Sequence, residues 1–381
     1  MEYCGLMSPD YSLSLSMSEL PKIDLKSLNR EELSAFCEEM GLQRFRADQI
    51  FQWLYQKGAS SFDEMTNLSK DLREKMSEKA RVSRIRLHEK QESSDGTIKF
   101  LFELDDPKLH KVEAVLIPDF YPDGVAKRLT VCVSSQVGCV FGCAFCATGK
   151  MGLFRSLTHG EIVDQVQYIN QVSEETYNKK ITNIVYMGMG EPLHNYKAVT
   201  ESAAIITHPM GLEMSPKRIT VSTVGLTKQI KQLADEEQPF NLAISLHAAD
   251  DDKRNKIMPI NHSLNLVQLK EAVQYYYQQL RRPLTYEYLL FDEFNDSPED
   301  ALRLADIVGW APSKVNIIMY NNVAGVELKR AREDRLNRFM KTLIKKEITA
   351  TVRRSRGDDI DAGCGQLAIR EGQEKGKSLA K

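Results

Sequence analysis

From residue 129 onward the chain repeats one rhythm. A short run rich in β-branched residues is followed by a segment long enough for a helix, and the runs number six: LTVCVSS, TNIVYMG, RITVSTV, NLAISLHA, LTYEYLLF and KVNIIMY. Strands separated by helix-length segments are joined by βαβ crossovers, which lay the strands parallel in one sheet. Six strands are too few to close an eight-fold barrel. The reading is therefore an α/β fold, an open partial (βα)6 barrel with its chemistry at the C-terminal strand ends. The helix after the first strand opens at Thr158-x-x-Glu161, a capping-box signature. A last short strand, EITATVRRS, precedes the tail GDDIDAGCGQL.

The segment before the barrel has a different character. NREELSAFCEEMGL carries an apolar stripe at Leu33, Phe36 and Met40, with Asn29 or Ser27 as its cap. RADQIFQWLYQKG repeats it through Ile50, Trp53 and Leu54 and stops at Gly58, and SKDLREKMSEKA supplies a third helix. Two alternating runs then flank Ser-Ser-Asp-Gly, a hairpin signal, and HKVEAVLIP reads as a further strand. The expected division is a disordered lead-in over 1–22, a helical accessory domain over 23–81 and an antiparallel strand extension over 82–120. The barrel over 121–355 and a tail over 356–381 follow.

Bulk numbers narrow the setting. No apolar run reaches the length of a membrane helix, and the N-terminus lacks the basic start and apolar core of a signal peptide. Seven cysteines, clustered rather than spread, do not make a secreted disulfide framework, so a reducing cytoplasmic setting is expected. Net charge is −2, which argues neither for nor against a nucleic-acid partner. The stretch 311–381 holds 16 Lys/Arg against 9 Asp/Glu, an excess that either meets phosphates or belongs to an ion-paired helix face.

Three of the cysteines fall within GCVFGCAFCATG, just after the first barrel strand. Cys139, Cys143 and Cys146 stand four and then three positions apart. Glycines 138, 142 and 149 let the backbone turn around something bulky. Three thiolates at this spacing suit a soft metal centre. A 4Fe–4S cube held by three cysteines keeps one iron free for a ligand, whereas structural zinc needs a fourth protein ligand. Further polar residues end successive strands: MGMGEP with Glu191, STVG from Ser222, SLHA from Ser245, and Asn321. Each alone is an ordinary loop group; together they fall at one end of the sheet. Cys132 lies in the first barrel strand and Cys364 in the Gly-rich tail, while Cys4 and Cys37 read as a terminal and a helix-core thiol.

CVSSQVGCVFGCAFCATG, MGMGEPL, ISLHA and RRSRGDDIDAGCGQL together resemble the RlmN/Cfr family of radical S-adenosylmethionine (SAM) RNA methyltransferases, over nearly the whole chain and closest to its RlmN branch. The resemblance implies a radical SAM barrel in which Cys139, Cys143 and Cys146 ligate a 4Fe–4S cluster and SAM occupies the open iron. It implies that Gly190, Glu191, Ser222, Ser245, Leu246, His247 and Asn321 contact SAM. It also implies that Cys364 carries a methyl group, Cys132 resolves the intermediate and Glu113 accepts a proton. The implied reaction methylates carbon 2 of adenine in 23S rRNA and tRNA, with two SAM per turnover. A flavodoxin or ferredoxin would donate electrons to a monomeric cytoplasmic enzyme. Arg353, Arg354 and Arg356 lie near enough in sequence to favour the Cys364 thiolate. This chain departs from the family pattern twice: NNVAG stands where Asn-Pro-Phe-Pro-Gly is frequent, and Gly363 where alanine is common. Two alternatives remain at this point: carbon-8 methylation as in the Cfr branch, and a zinc-stabilised RNA-binding protein without catalysis.

Overall fold

Local signals set the helical module. The computed structural model describes residues 22–369; Cys4, nearly all of the expected lead-in and the last twelve residues of the tail lie outside them. A two-residue strand β1 (Ile23–Asp24) pairs in parallel with β2 (Ala80–Arg81), closing the two ends of the module on each other. Between them run α1 (Arg30–Glu39), α2 (Phe45–Tyr55) and α3 (Lys70–Lys79). Asn29 caps α1: its side chain accepts from the Glu31 and Glu32 amides, and the Glu32 carboxylate accepts from the Asn29 amide. Leu33, Phe36, Ile50, Phe51, Leu54, Leu72 and Met76 face inward. Trp53 packs against them at the rim. It is only partly buried, donates its indole N–H to Asn67 at 2.5 Å, and carries the Lys57 ammonium 3.8 Å over its ring.

A buried ion pair fastens this module to the barrel. Lys26 Nζ lies 2.5 Å from Asp164 Oδ1, and both side chains are almost fully enclosed. Asp164 belongs to α5 (His159–Tyr177), which begins at the expected Thr158/Glu161 capping box. Its second oxygen accepts from the Ile85 amide. Helix and module approach so closely at Gly160 that a Cβ there would lie 2.4 Å from the Lys26 carbonyl oxygen.

The strand extension and the barrel share one sheet. β3 (Arg86–Glu92), β4 (Ile98–Glu103), β5 (Lys111–Phe120) and β6 (Ala126–Cys132) form an antiparallel meander. β7 (Gln136–Gly138) and β8 (Leu153–Ser156) pair apart from it. The chain then returns as β9 (Asn183–Tyr186), β10 (Ile219–Thr223), β11 (Asn241–Ser245), β12 (Leu284–Leu290), β13 (Ser313–Met319) and β14 (Ala350–Arg353). The order is β14-β13-β12-β11-β10-β9-β6-β5-β4-β3, parallel from β14 to β6. β3 and β14 are its edges, so the sheet stays open. β14 adds a parallel strand to the six expected. Crossover helices supply the covering layer, among them α5 and the segments Tyr196–Thr207, Leu266–Leu280 and Pro298–Val308. Strands buried on both faces need continuous apolar runs, which the β-branched segments provide.

Part of the basic run near the C-terminus is paired within the protein. Arg335 holds Asp296 at 2.5 Å, Arg332 holds Glu293 at 3.0 Å, and Arg338 holds Asp334 at 2.6 Å one turn away.

Candidate active site

The loop after β6 is clamped before it can wander. The Cys139 amide donates to the Gly152 carbonyl at 3.1 Å, closing the β7/β8 pair around the cysteine segment. Only glycine fits at 138: its φ is +77°, and a Cβ would fall 1.8 Å from the Gly152 oxygen. Arg155 on β8 anchors the clamp, reaching Asp106 and Glu161 at 2.6 Å each. Within the clamp lie Cys139, Cys143, Cys146 and the short helix α4 (Ala147–Met151).

All three thiols line one cavity. Among the described residues no three His, Cys, Asp or Glu side chains are grouped closely enough to hold a metal ion; the thiols are spread along the cavity wall. Burial pushes Cys139 up to about 12 and raises Cys146. Cys143 is driven well above its ordinary value by burial and by the charges of its two partners. Three thiolates facing one space repel one another, and a cationic iron–sulfur group seated among them would remove that penalty. The soft donor set and the shared cavity fit such a group.

The strand ends deliver five of the seven expected SAM contacts to this cavity: Gly190, Glu191, Ser222, Ser245 and His247. At Gly190 the backbone passes so close to Gln136 that a Cβ would lie 2.5 Å from that side chain. Glu191 accepts from the Leu193 amide at 3.1 Å and the Val224 amide at 2.9 Å, and burial pushes its carboxyl up to about 7. Ser222 and Ser245, on adjacent strands, bring their hydroxyls within 3.1 Å. His247 is held neutral, pushed down to about 3 by burial and by Arg254. Its Nδ1 accepts from the Leu289 amide at 3.1 Å, so Nε2 carries the proton.

The other two expected contacts lie elsewhere in this structure. The Leu246 side chain is wholly in the core, and its amide donates to the Glu287 carbonyl. Asn321 is turned to the tail: Ser355 donates to its amide oxygen, and a Cβ on Gly363 would fall 1.8 Å from its Nδ2. Glycine at 363 is what leaves room for that close approach.

The tail brings Cys364 to the cysteine loop. The Gly357 amide donates to Asp95, and Asp359 accepts from Ser93 and Ser94 in the β3–β4 turn. Further on, the Gly365 and Leu367 carbonyls accept from the Ala147 amide at 2.8 Å and the Thr148 hydroxyl at 2.5 Å. These bonds place Cys364, Gly365 and Leu367 in the wall of the thiol-lined cavity. Cys364 keeps an exposed edge, and its surroundings still raise its thiol, through burial first and the Glu287 charge second. Of the three arginines expected to favour its thiolate, Arg353 does so, whereas Arg354 pairs with Glu333 at the surface. Cys132, buried at the end of β6, is close enough to feel the Cys364 charge.

Glu113 sits on the same sheet face as Cys132, since Val115 pairs with Cys132 and side chains alternate. Its carboxylate lies 3.3 Å from Lys99 Nζ and accepts from the Ala368 amide at 2.8 Å. It lines a second cavity, between the β3–β5 strands and the tail, rather than the thiol-lined one. Sequence reading missed two residues here. Lys99 is one; the other is Glu287, a charge inside the apolar run LTYEYLLF, which is the signal that marks it.

Residues 23–82 match the model of the ribosomal RNA large subunit methyltransferase N-terminal domain, and 133–305 match the radical SAM superfamily. A probable dual-specificity RNA methyltransferase RlmN from Salinibacter ruber is 51% identical, over 93% of this chain and 95% of that protein. The dual-specificity RNA methyltransferase RlmN of Syntrophotalea carbinolica is 42% identical, over 93% of this chain and 92% of that protein. A crystal structure of a radical SAM methyltransferase from Sphaerobacter thermophilus superposes with a TM-score of 0.83 at 41% identity, covering 91% of this chain and 99% of that one.

Proposed function

The chain belongs to the RlmN family of dual-specificity RNA methyltransferases, and from that premise we propose that it methylates carbon 2 of adenine in 23S rRNA and tRNA by way of a methylated Cys364. It is a radical SAM methyltransferase. Cys139, Cys143 and Cys146 hold the 4Fe–4S cluster; Gly190, Glu191, Ser222, Ser245 and His247 surround SAM. The bound cofactors supply the methyl group and the means of activating it.

The protein's own residues do the rest. Carbon 2 of adenine lies between two electron-withdrawing nitrogens and is a poor nucleophile, so a thiol takes the methyl group first. Cys364 is that acceptor, presented by the tail. Glu113 removes the proton from the substituted ring carbon once the Ala368 amide has moved off its carboxylate. The Cys132 sulfur, losing its proton, then attacks the Cys364 sulfur: the S–S bond forms, the bond from the Cys364 sulfur to the bridging carbon breaks, and that carbon takes up a proton as the methylated base leaves. Cys364 keeps an exposed edge toward the space where the base enters, while Cys132 behind it is buried.

The observation that carries this reading is the convergence of Cys364, from the far end of the chain, on the cavity lined by the cysteine triplet. In this reading the 23–81 module grips RNA by shape and phosphate contacts, and the target base leaves its stack to enter. A flavodoxin or ferredoxin as electron donor, a monomeric state and a cytoplasmic location belong to the same reading. No helix among the described residues is long and apolar enough to cross a membrane. The test is an anaerobic assay with labelled SAM on rRNA fragments and bulk tRNA, followed by nucleoside analysis. Label in 2-methyladenosine supports the reading; label in 8-methyladenosine, or none in RNA, contradicts it.

A further inference from the structure

A carboxylate buried in the middle of an apolar strand is costly unless something pairs with it. Glu287 on β12 is such a group, 3% exposed. Its register partner on β13, Asn316, donates to Oε1 at 2.7 Å. Oε2 is buried and accepts no hydrogen bond. The residue lines the thiol-lined cavity together with Cys364.

The other titratable oxygen and nitrogen acceptors there are occupied. Both Glu191 oxygens accept backbone amides, and His247 uses its lone pair on Leu289. Cys364 shares that cavity wall, and like an ordinary cysteine it is mostly protonated at neutral pH, whereas the thiol is not the nucleophile. A proton acceptor is therefore required before it can take a methyl group.

We propose that Glu287 Oε2 is the base that deprotonates Cys364 for its methylation by SAM; this rests on the reading of Cys364 as the methyl carrier. The Sγ–H bond breaks and its proton passes to Oε2. The sulfur electron pair forms the S–CH3 bond. The bond from that methyl to the SAM sulfonium breaks, and its electron pair stays on the departing sulfur as S-adenosylhomocysteine. Nothing is oxidised or reduced, and the carboxylate charge disappears as the sulfonium charge does. The charged and titratable groups around Glu287 are Lys314 on β13, Arg353 on β14 and Cys364 on the tail, with His247, Glu191 and the three cysteines lining the same cavity.

The test uses reconstituted holoenzyme without reductant or RNA, and follows transfer of labelled methyl from SAM to the Cys364 peptide. Glu287→Gln is expected to slow loading about 100-fold at pH 7, with the lost rate returning as pH rises. With reductant added, its SAM cleavage to 5′-deoxyadenosine falls by much less than its loading rate does. A second readout needs no cofactor: mapped alkylation of Cys364 by iodoacetamide in cluster-free protein. There Glu287→Gln moves ionisation of the thiol to lower pH, because a negative neighbour is gone. A purely electrostatic role would thus make loading faster, and a base makes it slower.

Loading by Glu287→Gln at or above the wild-type rate overturns the proposal, as does a parallel loss of loading and SAM cleavage. Should that variant fail to fold, Glu287→Asp and the wild-type profile decide. Partial loading with a wild-type-like profile supports the base. A wild-type rate that climbs tenfold per unit across pH 6–9 overturns it. If wild type loads no methyl on Cys364, the functional reading itself fails; if wild type and Glu287→Gln load equally, only the role of Glu287 fails.

Discussion

Lys26→Met should unfasten the helical module from the barrel, and the cost can be worked from the pair it breaks. Asp164 is enclosed, and burial already raises its carboxyl even with the ammonium 2.5 Å away. Without Lys26 the native state keeps Asp164 by protonating it, while the unfolded chain ionises it near pH 3.9. The folded state then binds the extra proton, so stability falls as pH rises above the unfolded value. Holding that proton at pH 7 costs up to about 4 kcal/mol, from roughly 1.4 kcal/mol for each of three pH units. At pH 5 the same penalty is about 1.5 kcal/mol. Removing one partner of a buried pair elsewhere costs about 3–5 kcal/mol, in the same range. Urea unfolding of wild type and variant at both pH values measures it. A loss below about 1 kcal/mol at pH 7, or an equal loss at pH 5, would refute the view that this pair is sealed from solvent and joins the two parts.

Other perturbations reach the site directly. Cys132→Ala should leave RNA covalently attached to the protein, seen as a slow band on a denaturing gel; normal multiple turnover would end its resolving role. Cys143→Ala should lose the brown absorbance near about 400 nm and most bound iron after anaerobic reconstitution; retained iron would exclude it as a ligand. Gly138→Ala, whose Cβ would meet the Gly152 oxygen at 1.8 Å, should cut iron loading by opening the clamp, with little change expected from Gly41→Ala at an open surface turn. Cluster content of the two variants, measured side by side, checks this.

The chemistry of the cysteine loop was legible because it is local: spacing and glycines within twelve residues define it. The β-branched strands and the caps at Asn29 and Thr158 were legible for the same reason. What escaped reading depends on contacts between distant segments. Periodicity places Trp53 on the apolar stripe, but it does not show the partners at Asn67 and Lys57 that hold the outer side of its ring. No local pattern shows that the antiparallel strands continue into the parallel sheet, since that rests on the pairing of β6 with β9. Asn321 reads as a strand-end ligand until Gly363, 42 positions later, is seen to draw it toward the tail. Glu287 was visible as a charge in an apolar strand, but its loose oxygen appears only when β13 supplies Asn316 to the other one.

The most direct test locates one methyl group in time. Reconstituted protein is incubated with methyl-labelled SAM, and the peptides are mapped before and after addition of RNA under reducing conditions. The label should sit on the peptide containing Cys364 first, then move to carbon 2 of adenine. Label reaching RNA while that peptide stays unlabelled, or undiminished methylation by Cys364→Ala, would contradict the account.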